Sequence, residues 1–194
     1  MKKSKVLYWR NNKVIFILSF LFFGCSLNSD YSNLVSKELS SGKVNNQLFL
    51  GFHFGDSKDD YFDICTELNK KKIITSGGRN FSPEQILIPI EENGKKIKMS
   101  FFGLFDNDRI LNGMDIRFNF LGWSIWNKEY HSDNLIHQVK DSILRWFPGN
   151  DFIDYKLEDI SKNAFVKLDG NRRIIVYILD NKDVAVKIND LNNQ

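Results

Sequence analysis

Catalysis and metal binding need side chains that exchange protons, attack or ligate, and this sequence offers few in workable spacings. Its three histidines are His53, His131 and His137. The last two stand six residues apart, about 240° around a helix, so one helical surface cannot aim both at one metal. His53 falls on the same face as Phe49 and Gly51 in the alternating run Leu48 to Gly55, where a solvated or hydrogen-bonded ring is the expected state. Asp106-Asn-Asp108 opens like a calcium loop, but Ile110 and Leu111 stand where that loop needs a ligand and a glycine, so the segment reads as a turn. Asp56, Asp59, Asp60 and Asp63 form an acidic helix start, which complements the helix dipole. A nucleophile elbow, a phosphate-cradling glycine loop and an HExxH pair are all missing. Cys65 falls on the apolar face of a predicted helix, which suits a buried, inert thiol. No metal or cofactor is expected and the chain reads as non-enzymatic. The competing reading is a hydrolase whose groups, such as Asp56 and His53, converge only in three dimensions.

Two features suit recognition better. Trp123, Trp126 and Tyr130 stand beside Lys128 before a predicted helix, and aromatics on a loop can grip a sugar, a polymer strand or a protein. Large aromatics are mostly buried, so the default is that Trp123 and Trp126 plug the core between helix and sheet. Arg172, with Arg173 beside Gly170-Asn171, makes a small basic turn that could meet an anion; a solvated hairpin is the default. A third arrangement, small-ligand capture on the sheet face, requires Phe101, Phe118, Phe120 and Trp123 to line a cavity rather than fill it.

The start of the chain is an address. Lys2, Lys3, Lys5, Arg10 and Lys13 precede the apolar run Val14 to Phe23, and no acidic residue occurs before position 25. This is the charge and hydropathy pattern of a secretory signal. Ten apolar residues in a helix reach about 15 Å, roughly half a bilayer's hydrocarbon thickness, so they are too few for a transmembrane span. The run ends Leu21-Phe-Phe-Gly-Cys25, which resembles the lipobox of bacterial lipoproteins; Gly24 and Cys25 match it, and Phe22 stands where that family usually has Leu. The resemblance implies cleavage after residue 24, lipid on Cys25, and attachment to a membrane through that residue. Ser26 in place of Asp favours the outer membrane over the inner by the enteric sorting rule of that family.

Removing residues 1–24 changes the charge picture. Five of the 27 basic residues lie there, so the remaining 22 face 24 acidic ones and the mature form is slightly acidic. That disfavours nucleic acid as a partner. Residues 25–47 are rich in Ser, Asn and Lys and read as a flexible tether, with at most a short helix around 31–39; as a coil their reach is roughly 25 Å.

Residues 48–194 read as a single α+β domain, an antiparallel sheet with two helices packed on it. The pattern predicts a first strand over 48–55, a helix over 57–71, and strands over 86–90, 96–104 and 109–120. Asn93-Gly94 marks a hairpin, and Asn112-Gly113 marks either a bulge or a second tight turn. A second helix spans Leu135 to Phe147, stopped by Pro148-Gly149, and strands follow at 152–157, 164–168, 172–179 and 183–188. Helix starts at 57 and 132 point to two repeats, 48–121 and 122–190, alike in order of elements but not in residues. That layout resembles the β-lactamase-inhibitor-protein-like group and the small outer-membrane assembly lipoproteins of the SmpA/OmlA kind. The expectation is a membrane-anchored envelope lipoprotein, binding or helping to assemble an envelope protein or polymer.

Overall fold

The structure, a computed structural model, describes residues 26–76, 83–87, 94–157 and 162–193. Residues 1–24, read above as a signal, and Cys25 lie outside them, as do Asn93 and Gly77-Gly78-Arg79. Among the described residues no helix is long and apolar enough to cross a membrane. The described chain divides into two units between Lys37 and Glu38.

The protein is α+β. Helix α1 spans Ser26–Ser40, α2 Lys58–Lys70 and α3 Ser132–Trp146. Between α2 and α3 come β1 (Thr75–Ser76), β2 (Pro83–Leu87), β3 (Ile97–Phe105) and β4 (Leu111–Phe120). After α3 come β5 (Ile153–Leu157), β6 (Lys162–Asp169), β7 (Arg172–Ile178) and β8 (Val184–Asp190). All pairings are antiparallel and the order is β1-β2-β3-β4-β8-β7-β6-β5. Each of α2 and α3 is therefore followed by a four-strand meander, and the two meanders meet through their last strands.

Local chemistry accounts for the element ends. Ser57 caps α2 in a reciprocal box: its side chain accepts from Asp60 N–H, and the Asp60 carboxylate accepts from Ser57 N–H. In β4 the partners of Leu104 and Phe105 are Gly113 and Leu111, so Asn112 is an extra residue, a bulge rather than a turn. Asp106 Oδ1 accepts from the N–H groups of Asp108 and Ile110, which is the side-chain signature of a turn.

The core lies between the helices and one face of the sheet. Leu135, Val139 and Ile143 of α3 meet Ile116, Phe118, Ile174, Val176 and Val186, all essentially inaccessible to solvent. Each contributes about 1.5–3 kcal/mol by burial. The run Ile174 to Ile178 shows little polar alternation because Ile175 and Tyr177, on the other face, are buried as well.

Two expectations are corrected. Residues 48–55 are not a strand: Phe49–Gly51 form a 3-10 turn in which Leu50 (φ 55°) and Gly51 (φ 88°) adopt left-handed backbone. The turn places Leu48, Phe49, Phe52 and Phe54 in the core, a set that strict alternation would split between two faces. The stretch read as a tether is helical over Ser26–Ser40, and the folded body begins at Glu38 rather than Leu48. Gly170 N–H and Asn150 Nδ2 donate to the two Glu38 oxygens at 2.9 and 3.0 Å, and Asn45 N–H donates to Asn171 Oδ1 at 2.6 Å.

Candidate functional site

The connection between β4 and α3 is a braced loop. Asn127 accepts from Glu129 N–H and so caps a 3-10 turn over Lys128–Tyr130. Ser132 begins α3 with its hydroxyl donated to Asp180 O at 2.5 Å and its N–H to Asn181 O at 3.1 Å. These bonds tie the loop to the β7–β8 turn.

Within it the predicted aromatics have different fates. Trp123 is half-buried, its Nε1–H donating to Asn181 O at 3.2 Å and its ring 5.7 Å from Lys182 Nζ. Tyr130 is half-buried too, edge-on to Phe120 at 5.4 Å, with Lys95 Nζ 4.6 Å from its ring centre. Trp126 is 90% exposed, and Leu121 (54%) and Ile125 (57%) share its loop. Burial would have supplied a Trp-sized side chain with the largest transfer free energy in the segment, so its exposure is the unusual observation here.

Sequence reasoning did not single out Leu121 and Ile125. Leu121, Trp123 and Ile125 alternate with Gly122 and Ser124 as strand residues would, so the pattern continues that of β4 and carries no separate signal of exposure.

Arg172 does not belong with these aromatics. It opens β7 at the end opposite Asn181, about 20 Å away along the strand. It is 5% exposed, donates Nη1–H to Gln47 O at 3.0 Å, lies 3.6 Å from Asp169 and stacks 4.5 Å over Phe147. Burial pulls its guanidinium below the ordinary value, with Asp169 opposing. It is a structural residue, not an exposed anion contact. Beside it Lys167 and Asp169 form a 2.8 Å ion pair, 0% and 1% exposed, with Lys167 also donating to Asn150 O and Asp169 Oδ1 accepting from Asn150 N–H. Together with Glu38, Asn45 and Gln47 this cluster fastens the incoming chain to the body.

No family model, curated protein or solved structure matches this chain.

Other predicted groups resolve in simple ways. Phe101, Phe118 and Phe120 fill the core, which removes the cavity they would have had to line for capture on the sheet face. Asp56 Oδ2 accepts from the backbone N–H of His53 at 2.7 Å, so this carboxylate shapes a turn. Among the described residues no group of three His, Cys, Asp or Glu side chains could hold a metal ion. Cys65 is half-buried, and burial pushes its thiol above the ordinary value, with Tyr61 opposing.

Proposed function

We propose that this chain is a lipid-anchored cell-envelope protein that works as a non-catalytic binding module, with the Leu121–Trp126 loop as its contact surface for a protein partner. The supporting observation is the nearly complete exposure of Trp126 on a loop that is hydrogen-bonded at both ends. A rigid, exposed tryptophan loses little conformational entropy on docking and supplies large apolar area, the usual character of an interface hot spot. Anchoring rests on the lipobox-like Gly24-Cys25 and on acyl-chain energetics, since several chains on one residue hold far more firmly than one. Lys128 and Lys182 beside the loop favour an acidic rim on the partner's pocket, whereas Lys95 is paired with Glu129.

The test is a photo-cross-linking amino acid at position 126, illuminated in the native envelope. One protein adduct of defined mass, lost when Ile125 is changed to Ser, is expected. Adducts to phospholipid alone, or a pattern indifferent to Ile125, would overturn the assignment. In parallel, Cys25→Ala should release the chain from the membrane fraction, and retention there would overturn the anchor.

A further inference from the structure

A second surface lies at the other side of the molecule, where α2 runs along the outer edge of β3. β2 begins at Pro83, which lacks an N–H, and the β2–β3 pairing ends at Glu84↔Ser100. Among the described residues no strand borders β3 beyond that pair. The Gly103 N–H on this edge is donated to Tyr61 Oη at 3.1 Å. Between α2 and this stretch of β3 the described residues line an open groove of about 870 Å³, within the roughly 300–1,000 Å³ of small-ligand sites.

Its walls are mostly apolar, with Thr66, Asn69 and Thr75 among the residues that line it. On α2, Tyr61, Phe62 and Cys65 face Phe102 and Phe105 of β3, and Phe62 and Phe102 are 53% and 39% exposed. The charges of α2 are sorted relative to this groove: Asp59, Asp60, Asp63 and Glu67 lie off it, whereas Lys58 and Lys70 line it. The two lysines are about 18 Å apart along the helix. Lys70 makes an exposed pair with Glu67, of small worth. Lys58 has no carboxylate partner among the described residues, and its ammonium lies 5.7 Å from the Phe105 ring centre, at the edge of the apolar wall.

We propose that this groove binds one long-chain carboxylate, with the alkyl chain along Phe62, Cys65 and Phe102 and the head group at Lys58. An alkyl chain suits it better than a peptide strand, because the Gly103 N–H that a strand would pair with is already engaged by Tyr61. The lysine accounts for the charge of the head, and the proposal is independent of the role of Trp126.

Cys65 is the reporter. In the full chain held in phosphatidylcholine vesicles, alkylation of Cys65 by a maleimide is followed by peptide mass spectrometry, with dodecanoate or its methyl ester added below micellar concentration. Dodecanoate should slow alkylation at least fivefold and the ester far less. Lys58→Gln should remove the protection, each variant's rate with dodecanoate being compared with its own rate without it. Phe102→Glu, which places a like charge in the groove from the strand side, should also abolish the protection. No protection by dodecanoate, equal protection by the ester, or full protection in Lys58→Gln would each overturn the proposal. So would protection by the vesicle lipid before any dodecanoate is added, which would assign the groove to the bilayer surface instead.

Discussion

Helices α2 and α3 stand at equivalent places in the order of elements, and both carry an apolar stripe, yet they are buried to different degrees. In α3, Leu135, Ile136, Val139 and Ile143 are all buried; in α2 only Tyr61 is, while Ile64, Cys65 and Leu68 stay half-accessible. The difference lies in the floor beneath each helix. α3 rests on β4, β7 and β8, the middle of the sheet, where apolar side chains continue on every side. α2 lies beyond the Glu84↔Ser100 pair, where among the described residues no strand borders β3. An amphipathic helix is buried only as far as the surface it lands on extends.

The comparison predicts an uneven response to substitution. The largest effect should come from Asp169→Ala, which leaves Lys167 buried without its counter-ion, at about 3–5 kcal/mol in a urea titration. Ile143→Ala in α3 should cost about 3 kcal/mol and Leu68→Ala in α2 about 1 kcal/mol or less; equal costs would break the comparison. Trp126→Ala should stay within about 0.5 kcal/mol of the parent, because the side chain has almost no surface to lose on unfolding.

The smallest effect is a pH dependence on the outer face of β4. Burial raises the Asp115 carboxyl above its ordinary value, with Lys187 and Arg117 opposing. The fold thus favours the protonated form, and its contribution to stability is present at low pH and declines as pH rises from about 4 upward. Asp115→Asn should therefore gain on the parent through that interval and hold its lead at neutral pH. Urea midpoints measured across the interval would show this, and parallel curves would place the effect elsewhere.

Much of the element order was legible in the sequence, because local chemistry carries it. Ser57 with Asp60 set the start of α2, Ser132 opened α3, and Asp169-Gly170-Asn171 turned β6 into β7. At Gly170 the requirement is strict: φ is +58°, and a Cβ there would collide with the Lys43 carbonyl. Residues 48–55 misled because alternating apolar residues are also compatible with a glycine-punctuated turn, in which Gly51 and Gly55 take positive φ. Asn45, Asn46 and Gln47 looked like tether because their bonding partners, Asp169, Asn171 and Arg172, lie more than a hundred residues along the chain.

The loop before α3 shows the same division at the scale of three residues. Trp123 and Trp126 are one residue type in one loop, and the sequence left both open between core and surface. A single carbonyl, that of Asn181 at the far turn of β7 and β8, gave Trp123 a partner. The Trp126 side chain has no such carbonyl among the described residues and is 90% exposed. By itself the sequence determined which residues could cap, turn and alternate, since those preferences are written in each residue's backbone and its near neighbours. Only the tertiary structure decided which apolar side chains found a floor and which were left at an edge, because burial depends on what distant strands bring alongside.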